Sequence, residues 1–323
     1  VVVFSIVIAL LLEQLSPLRA KTLPLEWFGR YADLVARNFN AGRRRHGVLG
    51  WIVAIAPCVI VAELGFLMLN GVSFLLGLAW NVLVLYFCLG LRGFNTGFNG
   101  VHEALRAGRT QEARDRLREW SGEDTTEFTH QDLAKVAIEH GLATAHRDVF
   151  GVVAWFVLAP AILGTLLPGA LGTLLSGPGG AVIYRLGVVL HDRWGRQTAA
   201  EYEQFGAFAR ESFRLFDWVS VRLTALSFAI VGDFEDAVYC WRAQAAAWLD
   251  PFIGVVLSSG AGALGVRLGE SLHRDGKLAF RPELGLGDEP DLEHMNSAVG
   301  LIWRTLVMWV LIIALMTVAS WVA

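Results

Sequence analysis

Arg185, Arg222 and Arg267 each abut an apolar segment, a setting in which an unpaired charge is costly and often lines a polar cavity. A guanidinium there can grip a phosphate or a carboxylate through two parallel N–H donors. Arg267 and Glu270 lie near the end of "SSGAGALGVRLGES", Ser258–Ser271. His146, Arg147 and Asp148 form a polar cluster just before another apolar run, and His191 and Asp192 form a third. Carboxylates beside cations suit phosphoryl or acyl transfer, where charge develops on oxygen. The ordinary alternative is a set of solvated caps at a membrane interface.

The same stretch holds Gly260, Gly262 and Gly265 in the order G-x-G-x-x-G, after the β-branched run "FIGVVL" and ahead of Glu283. A dinucleotide-binding turn needs a strand, a following helix and an acid about 20 residues on. No alternation of strands and helices accompanies it, and one apolar run cannot build a parallel sheet. The glycines, with Gly269, Ala261 and Ala263, are expected to let helix backbones approach closely.

These residues are set in a chain of 323 residues that is 54% hydrophobic and only 18% charged, with a mean hydropathy of +0.49. Soluble domains carry roughly 25% charged residues. A helix of about 20 apolar residues crosses the hydrocarbon layer with its backbone satisfied internally. Val48–Leu69, Gly71–Leu91, Phe150–Leu175 and Val299–Ala323 meet or approach that length, and Val1–Leu12 reads as part of a retained span. "LLEQLSPLRAKTLP" offers no clear signal-peptide cleavage site. Trp218–Gly232 and Phe252–Gly269 are apolar but shorter. The expected fold is all-α: a single polytopic membrane domain with cytoplasmic helical insertions, its polar segments being Arg92–Val149, Arg185–Asp217 and 270–298, the last of which, with Pro282, Gly285, Gly287 and Pro290, reads as an ordered loop or a flexible lid.

Arg43, Arg44 and Arg45 precede the first hairpin and Arg92, Arg106, Arg109, Arg114, Arg116 and Arg118 follow it, which places both flanks in the cytoplasm and Asn70 outside. Thr110 is placed to cap a short helix carrying a Glu112–Arg116 pair. A net charge of −3 argues against a nucleic-acid partner, which calls for a basic surface. Cys58, Cys88 and Cys240 make no C-x-x-C pair, and His140 and His146 fall on different helix faces. No disulfide framework or zinc site is implied.

"AGALGVRLG" followed by "RPELGLGDEPDLEHMNSAVGLIWRTLVM" resembles the C-terminal part of the CobD/CbiB family, the adenosylcobinamide-phosphate synthases of cobalamin biosynthesis. "VHEALRAGRTQEARDRLREWSGEDT", "KVAIEH", Tyr184-Arg185 and "FDWVSVRLTAL" resemble further blocks in the family's order. The resemblance implies ATP-dependent amide formation between adenosylcobyric acid and aminopropanol phosphate at a bacterial inner membrane. It also implies ATP and Mg²⁺, a corrinoid substrate and surrounding lipid. A homo-oligomer is left open. Carried onto this chain, it makes Asp124, Glu139 and Asp148 the candidate catalytic carboxylates, with Asp192 a further acid. Arg147, Tyr184, Arg185, Arg222, Arg267 and Glu270 become the candidate phosphate or substrate contacts. The chain has no G-x-x-x-x-G-K-[ST] loop, so a nucleotide site must be of another type.

Two blocks depart from the family wording. "HGLATAHRDVFGVV" replaces an acidic stretch, and Val188, Val189, Leu190 and His191 stand where the family reads Asn-Thr-Leu-Asp. The "FDWVSVRL" wording is also similar to AmpE-like inner-membrane proteins, so a divergent, non-enzymatic sensory or regulatory member is the alternative expectation.

Overall fold

Buried glycines, helix caps and long apolar runs decide how this chain folds. A computed structural model describes residues 1–15, 23–166, 176–274 and 277–322. Among the described residues, four helical stretches are long and apolar enough to cross a membrane: Arg44–Val72, Phe74–Arg106, His130–Ile162 and Leu292–Ala319. The protein is a polytopic helical membrane protein. It packs as two compact units, each assembled from two stretches of chain: Val1–Leu89 with Arg147–Ser220, and Gly90–His146 with Val221–Ala323.

In the first unit, α1 (Val2–Leu15) packs on α4 (Phe74–Cys88), and α4 forms a hairpin with α3 (Arg44–Val72). The hairpin turns at Ser73, whose hydroxyl accepts the N–H of Leu75, three residues beyond the break expected at Asn70. A serine in extended conformation satisfies a free donor at a helix start, whereas Asn70 is absorbed into the last turn of α3. The indole of Trp80 donates to the Ala62 carbonyl at 2.8 Å and lies over Gly65, so the two helices close on each other. The amphipathic α2 (Leu23–Phe39) packs on α3, as does the short α10 (Ala200–Phe205).

Next in the same unit, α8 (Gly151–Leu166) packs along α9 (Gly179–Leu190). Gly180 makes this possible: a Cβ there would stand 2.2 Å from the carbonyl oxygen of Trp155. Glu63, buried within α3, accepts N–H bonds from Gly177 at 3.0 Å and Gly179 at 2.7 Å. A carboxylate thus meets the positive, donor-rich start of α9. A π-helical turn, His146–Phe150, leads into α8 and a second, His191–Gly195, follows α9.

The second unit contains α5 (Leu91–Arg106), α6 (Thr110–Ser121) and α7 (His130–Ala145). Phe94 and Phe98 of α5 pack with Trp120 of α6, whose ring meets His140 of α7 edge-on at 4.5 Å. Arg109, not Thr110, occupies the cap position of α6, with Thr110 the first helical residue; Gly108 at φ +69° completes the turn before it. The Glu112–Arg116 pair forms at 2.6 Å. A capping box between Thr129 and Asp132 starts α7.

The apolar run Trp218–Gly232 is helical as far as Val231, within one long helix, α11 (Ala207–Val231), whose segment from Val221 onward belongs to the second unit. Then come α12 (Phe234–Gln244), α13 (Pro251–Leu264) and α14 (Leu292–Val322). Short strands β1 (Arg267–Gly269) and β4 (Glu283–Gly285) pair antiparallel, as do β2 (Leu272–Arg274) and β3 (Lys277–Ala279). "FIGVVL" is therefore helical.

Of the glycines expected to pack helices, Gly260 meets Leu142, and Gly262 lies against the backbone of Asp236 and Ala237 in α12. Gly265 instead caps α13 in the left-handed region, and Gly269 sits at φ +78° in β1. The apolar segment Phe252–Gly269 thus divides at Gly265. At 14 residues, α1 is shorter than a full span. The expected span Phe150–Leu175 is helical from Gly151 to Leu166, and residues 167–175 lie outside the described residues.

A Cβ at position 262 would stand 2.5 Å from the carbonyl oxygen of Asp236, whereas one at Gly300 meets nothing within 4 Å. Gly262→Ala is expected to destabilise by about 1–3 kcal/mol through overpacking, and Gly300→Ala to be neutral or stabilising. Thermal unfolding in detergent measures both; equal melting temperatures would overturn the close-approach argument.

Candidate functional site

On α7, Lys135 and Glu139 are four residues apart, so both side chains project from one helix face. Glu139 is buried and both of its oxygens are engaged. Oε1 accepts the N–H of Gly269 at 2.7 Å and Nη2 of Arg281 at 3.0 Å, while Oε2 accepts Nη1 of Arg281 at 2.6 Å. Arg281 also donates to the carbonyl oxygens of Glu270 (3.1 Å) and Gly269 (2.9 Å), and its guanidinium lies 5.4 Å from the centre of the Trp248 ring. One cation therefore ties a helix carboxylate to the end of β1.

The backbone held in this way is unusual. Gly269 and Glu270 both have positive φ, and Glu270, at +61°, is the only non-glycine residue with this conformation among the described residues. A Cβ at Gly269 would stand 1.9 Å from the Pro282 carbonyl oxygen, so this position requires glycine. The Glu270 carboxylate is ion-paired through Oε2 with Lys135, which is almost fully buried.

Arg267 begins β1, with its backbone N–H bonded to the Asp288 carbonyl at 2.9 Å. Its guanidinium has no hydrogen-bond or ion-pair partner among the described residues, and its Nε is buried. Arg222 is half-buried on α11. Asp124 is exposed in the turn after α6, accepting from the Thr126 hydroxyl and N–H and from Arg118. The Thr126 hydroxyl is the main reason its carboxyl is held below the usual range. His146 Nδ1 lies 2.9 Å from the Thr224 hydroxyl.

The first unit holds a second polar centre. Asp148, in the π-helical turn before α8, is ion-paired with Arg185 of α9. The neighbouring Tyr184 is buried and donates its hydroxyl to Asp217 at 2.8 Å. Burial and the Asp217 charge push this phenol well above its ordinary value, so it stays a neutral donor. Arg147 lies 4.0 Å from Asp192 in the second π-helical turn, and Arg196 lies 3.5 Å from the same acid. Gly151 gives Tyr184 its room, since a Cβ there would fall 2.1 Å from the ring. π-Helical turns occur often at functional sites; the first lies within one block that departs from the family wording, and the second begins at His191, the last residue of the other.

Arg147, Asp148, Tyr184 and Arg185 are thus gathered in the first unit, and Glu139, Glu270 and Arg267 around β1 in the second. Asp124 stands apart from both groups, bonded to Thr126 and Arg118 in the turn after α6. Sequence reasoning missed Lys135, Asp217 and Arg281. Lys135 carried a readable signal in its four-residue spacing from Glu139; Arg281, 142 residues from its partner, carried none.

Fold and polar centres together define a helical membrane protein with buried arginine–carboxylate pairs. Comparison with known proteins assigns its lineage. The family described as "CobD/Cbib protein" matches residues 6–302. The "Cobalamin biosynthesis protein CobD" of Stutzerimonas stutzeri is 35% identical over 318 residues, covering 97% of each chain. The protein of that name from Chromobacterium violaceum is 31% identical over 312 residues, covering 94% of this chain and 92% of the relative. That from Clostridium perfringens is 22% identical, covering 86% and 87%. No solved structure matches. This chain belongs to the CobD/CbiB family of cobalamin biosynthesis proteins.

Arg281→Ala strands the buried Glu139 charge and is expected to cost about 3–5 kcal/mol. Arg281→Met combined with Glu139→Gln removes both charges and is expected to cost much less. Chemical denaturation of the variants measures this difference; a double variant as unstable as the single one would refute the pairing argument.

Proposed function

We propose that the protein is an ATP-dependent amide synthase that joins the carboxylate of adenosylcobyric acid to aminopropanol phosphate. The observation that carries this reading is the end-to-end match to relatives named for cobalamin biosynthesis, with 97% of both chains covered in one case. The polar centres support it, because they offer the groups that such a reaction needs.

A carboxylate is a poor electrophile, so the reaction proceeds through an acyl phosphate. The carboxylate attacks the terminal phosphorus of ATP and ADP leaves. The amine then attacks the acyl carbon and inorganic phosphate leaves, forming the amide. ATP would supply the phosphoryl group, and Mg²⁺ would screen its charge. Mg²⁺ carried on phosphates needs only one or two protein carboxylates. Asp192, 43% exposed at its side chain between Arg147 and Arg196, is a carboxylate of that kind.

Within each unit, the chain's own residues divide the work. Arg147 and Arg185 supply positive charge where phosphoryl oxygens gather, and Tyr184 and Asp217 brace α9 behind Arg185. With both oxygens engaged, Glu139 acts by positioning the end of β1. Arg267 has guanidinium donors to offer to a substrate anion.

Purified protein in detergent, given adenosylcobyric acid, aminopropanol phosphate, ATP and Mg²⁺, is expected to yield the amide and ADP, read by mass spectrometry. Absence of both product and ATP turnover would reject the synthase and favour a non-enzymatic AmpE-like role.

The proposed setting is the bacterial inner membrane with the polar segments cytoplasmic, supported by the arginines that flank the α3–α4 hairpin. A single cysteine at Asn70, with native cysteines replaced, is expected to react with an impermeant maleimide added outside spheroplasts. Labelling only after lysis would reverse this topology.

A further inference from the structure

We infer that Glu270 is the base that receives the amine proton during amide formation and that Arg267, three residues earlier, holds the phosphate of the same substrate. This assignment rests on the synthase reading and specifies where its second substrate sits.

Three observations carry it. First, Glu270 stands at φ +61°, a conformation that disfavours a non-glycine side chain and that persists where surroundings over-determine it. Here Arg281 holds its carbonyl oxygen and Lys135 its carboxylate. Such strain clusters at functional positions. Second, Lys135 takes only Oε2, so Oε1 carries no hydrogen bond among the described residues, and the side chain is 32% exposed. The carboxylate is held in place with one oxygen left to act. Third, Arg267 differs from the nearby cations: Lys135 pairs with Glu270 and Arg281 with Glu139, but Arg267 has no carboxylate partner among the described residues. A cation so placed is ready for an anion from outside the chain.

A short aminoalkyl phosphate presents both complements, a cationic amine and a dianionic phosphate. Three residues of chain separate the Cα atoms of Arg267 and Glu270 by at most about 11 Å. Side-chain reach can narrow that to the amine-to-phosphorus span of such a molecule. Lys135 and Glu139 from α7 and Arg281 ahead of β4 are the charged groups linked to Glu270 and its turn, and Arg267 precedes it by three residues on β1.

In the step itself, the bound ammonium gives one proton to Glu270 Oε1, which frees the nitrogen lone pair. The nitrogen attacks the acyl carbon and the C–N bond forms. As the C–O bond to phosphate breaks, the second proton leaves nitrogen with the departing phosphate as HPO₄²⁻. Glu270 returns its proton to solvent.

Hydroxylamine separates the two halves of the reaction, because it is neutral at pH 7 and needs no base to attack an acyl phosphate. Glu270→Gln is expected to lower the amide rate about 100-fold or more while hydroxamate formation from adenosylcobyric acid and ATP stays within about twofold of wild type. The residual amide rate should rise about tenfold per pH unit toward the amine pKa, tracking the free amine. Arg267→Ala is expected to raise KM for aminopropanol phosphate about tenfold or more and to leave KM for unphosphorylated aminopropanol unchanged. Equal loss of amide and hydroxamate in Glu270→Gln, or retention of both, overturns the base assignment. A parallel rise in both KM values overturns the role of Arg267. A wild-type protein that forms neither amide nor hydroxamate removes the synthase reading and this assignment with it.

Discussion

The burial of Glu139 governs the arrangement of the second unit. Taking a carboxylate out of water costs several kcal/mol unless an opposite charge and hydrogen bonds replace its hydration. Arg281 supplies the charge through a two-point fork and Gly269 supplies an N–H. Arg281 can reach Glu139 only if the segment after β3 folds back over β1, and that return is what the β1–β4 pairing records. Gly269 can present its N–H only in a left-handed turn that its neighbour Glu270 shares. One desolvated carboxylate therefore dictates a helix face, a strand register and two backbone conformations.

Similar economics operate in the first unit, with different partners. Glu63 lies within a span-length helix and is satisfied by the start of α9 instead of by a cation. The arrangement anchors the start of α9. At its middle, Asp148 and Asp217 meet Arg185 and Tyr184. A 12-residue helix is thus pinned by carboxylates at its start and its middle, and its Tyr184-Arg185 pair is held by groups on other elements. Burial of charge among apolar segments enforces this pairing more strongly than helix propensity would, since an unmet charge there has no water to fall back on.

How much of this was legible in the sequence follows from the range of each interaction. The α3–α4 hairpin, the long C-terminal apolar helix and the Glu112–Arg116 pair depend on local composition and spacing, and all were readable. Whether a serine or an asparagine turns a hairpin depends on one cap geometry, so the break moved from Asn70 to Ser73. The glycine motif was half legible. Gly262 packs against a neighbouring helix as small residues do, but Gly265 and Gly269 adopt left-handed conformations that hydrophobic spacing does not encode. The π-helical turns at His146–Phe150 and His191–Gly195 lack any periodic signature, and Arg281 becomes visible only once the chain has folded back.

Carboxylates with similar chemistry take different roles because their surroundings differ. Glu139 has both oxygens bound and is enclosed by the chain, so moving a proton through it would first require breaking the contacts that fix β1. Glu270 is held at its backbone and at one oxygen, and the other oxygen is unbonded among the described residues. A group that must exchange a proton with a substrate needs this combination of fixed position and open valence. The rigid pair thus creates the conditions for the adjacent one: Glu139 and Arg281 absorb the cost of burial, and the strained turn that they hold sets the Glu270 carboxylate against Lys135 of α7 through one oxygen.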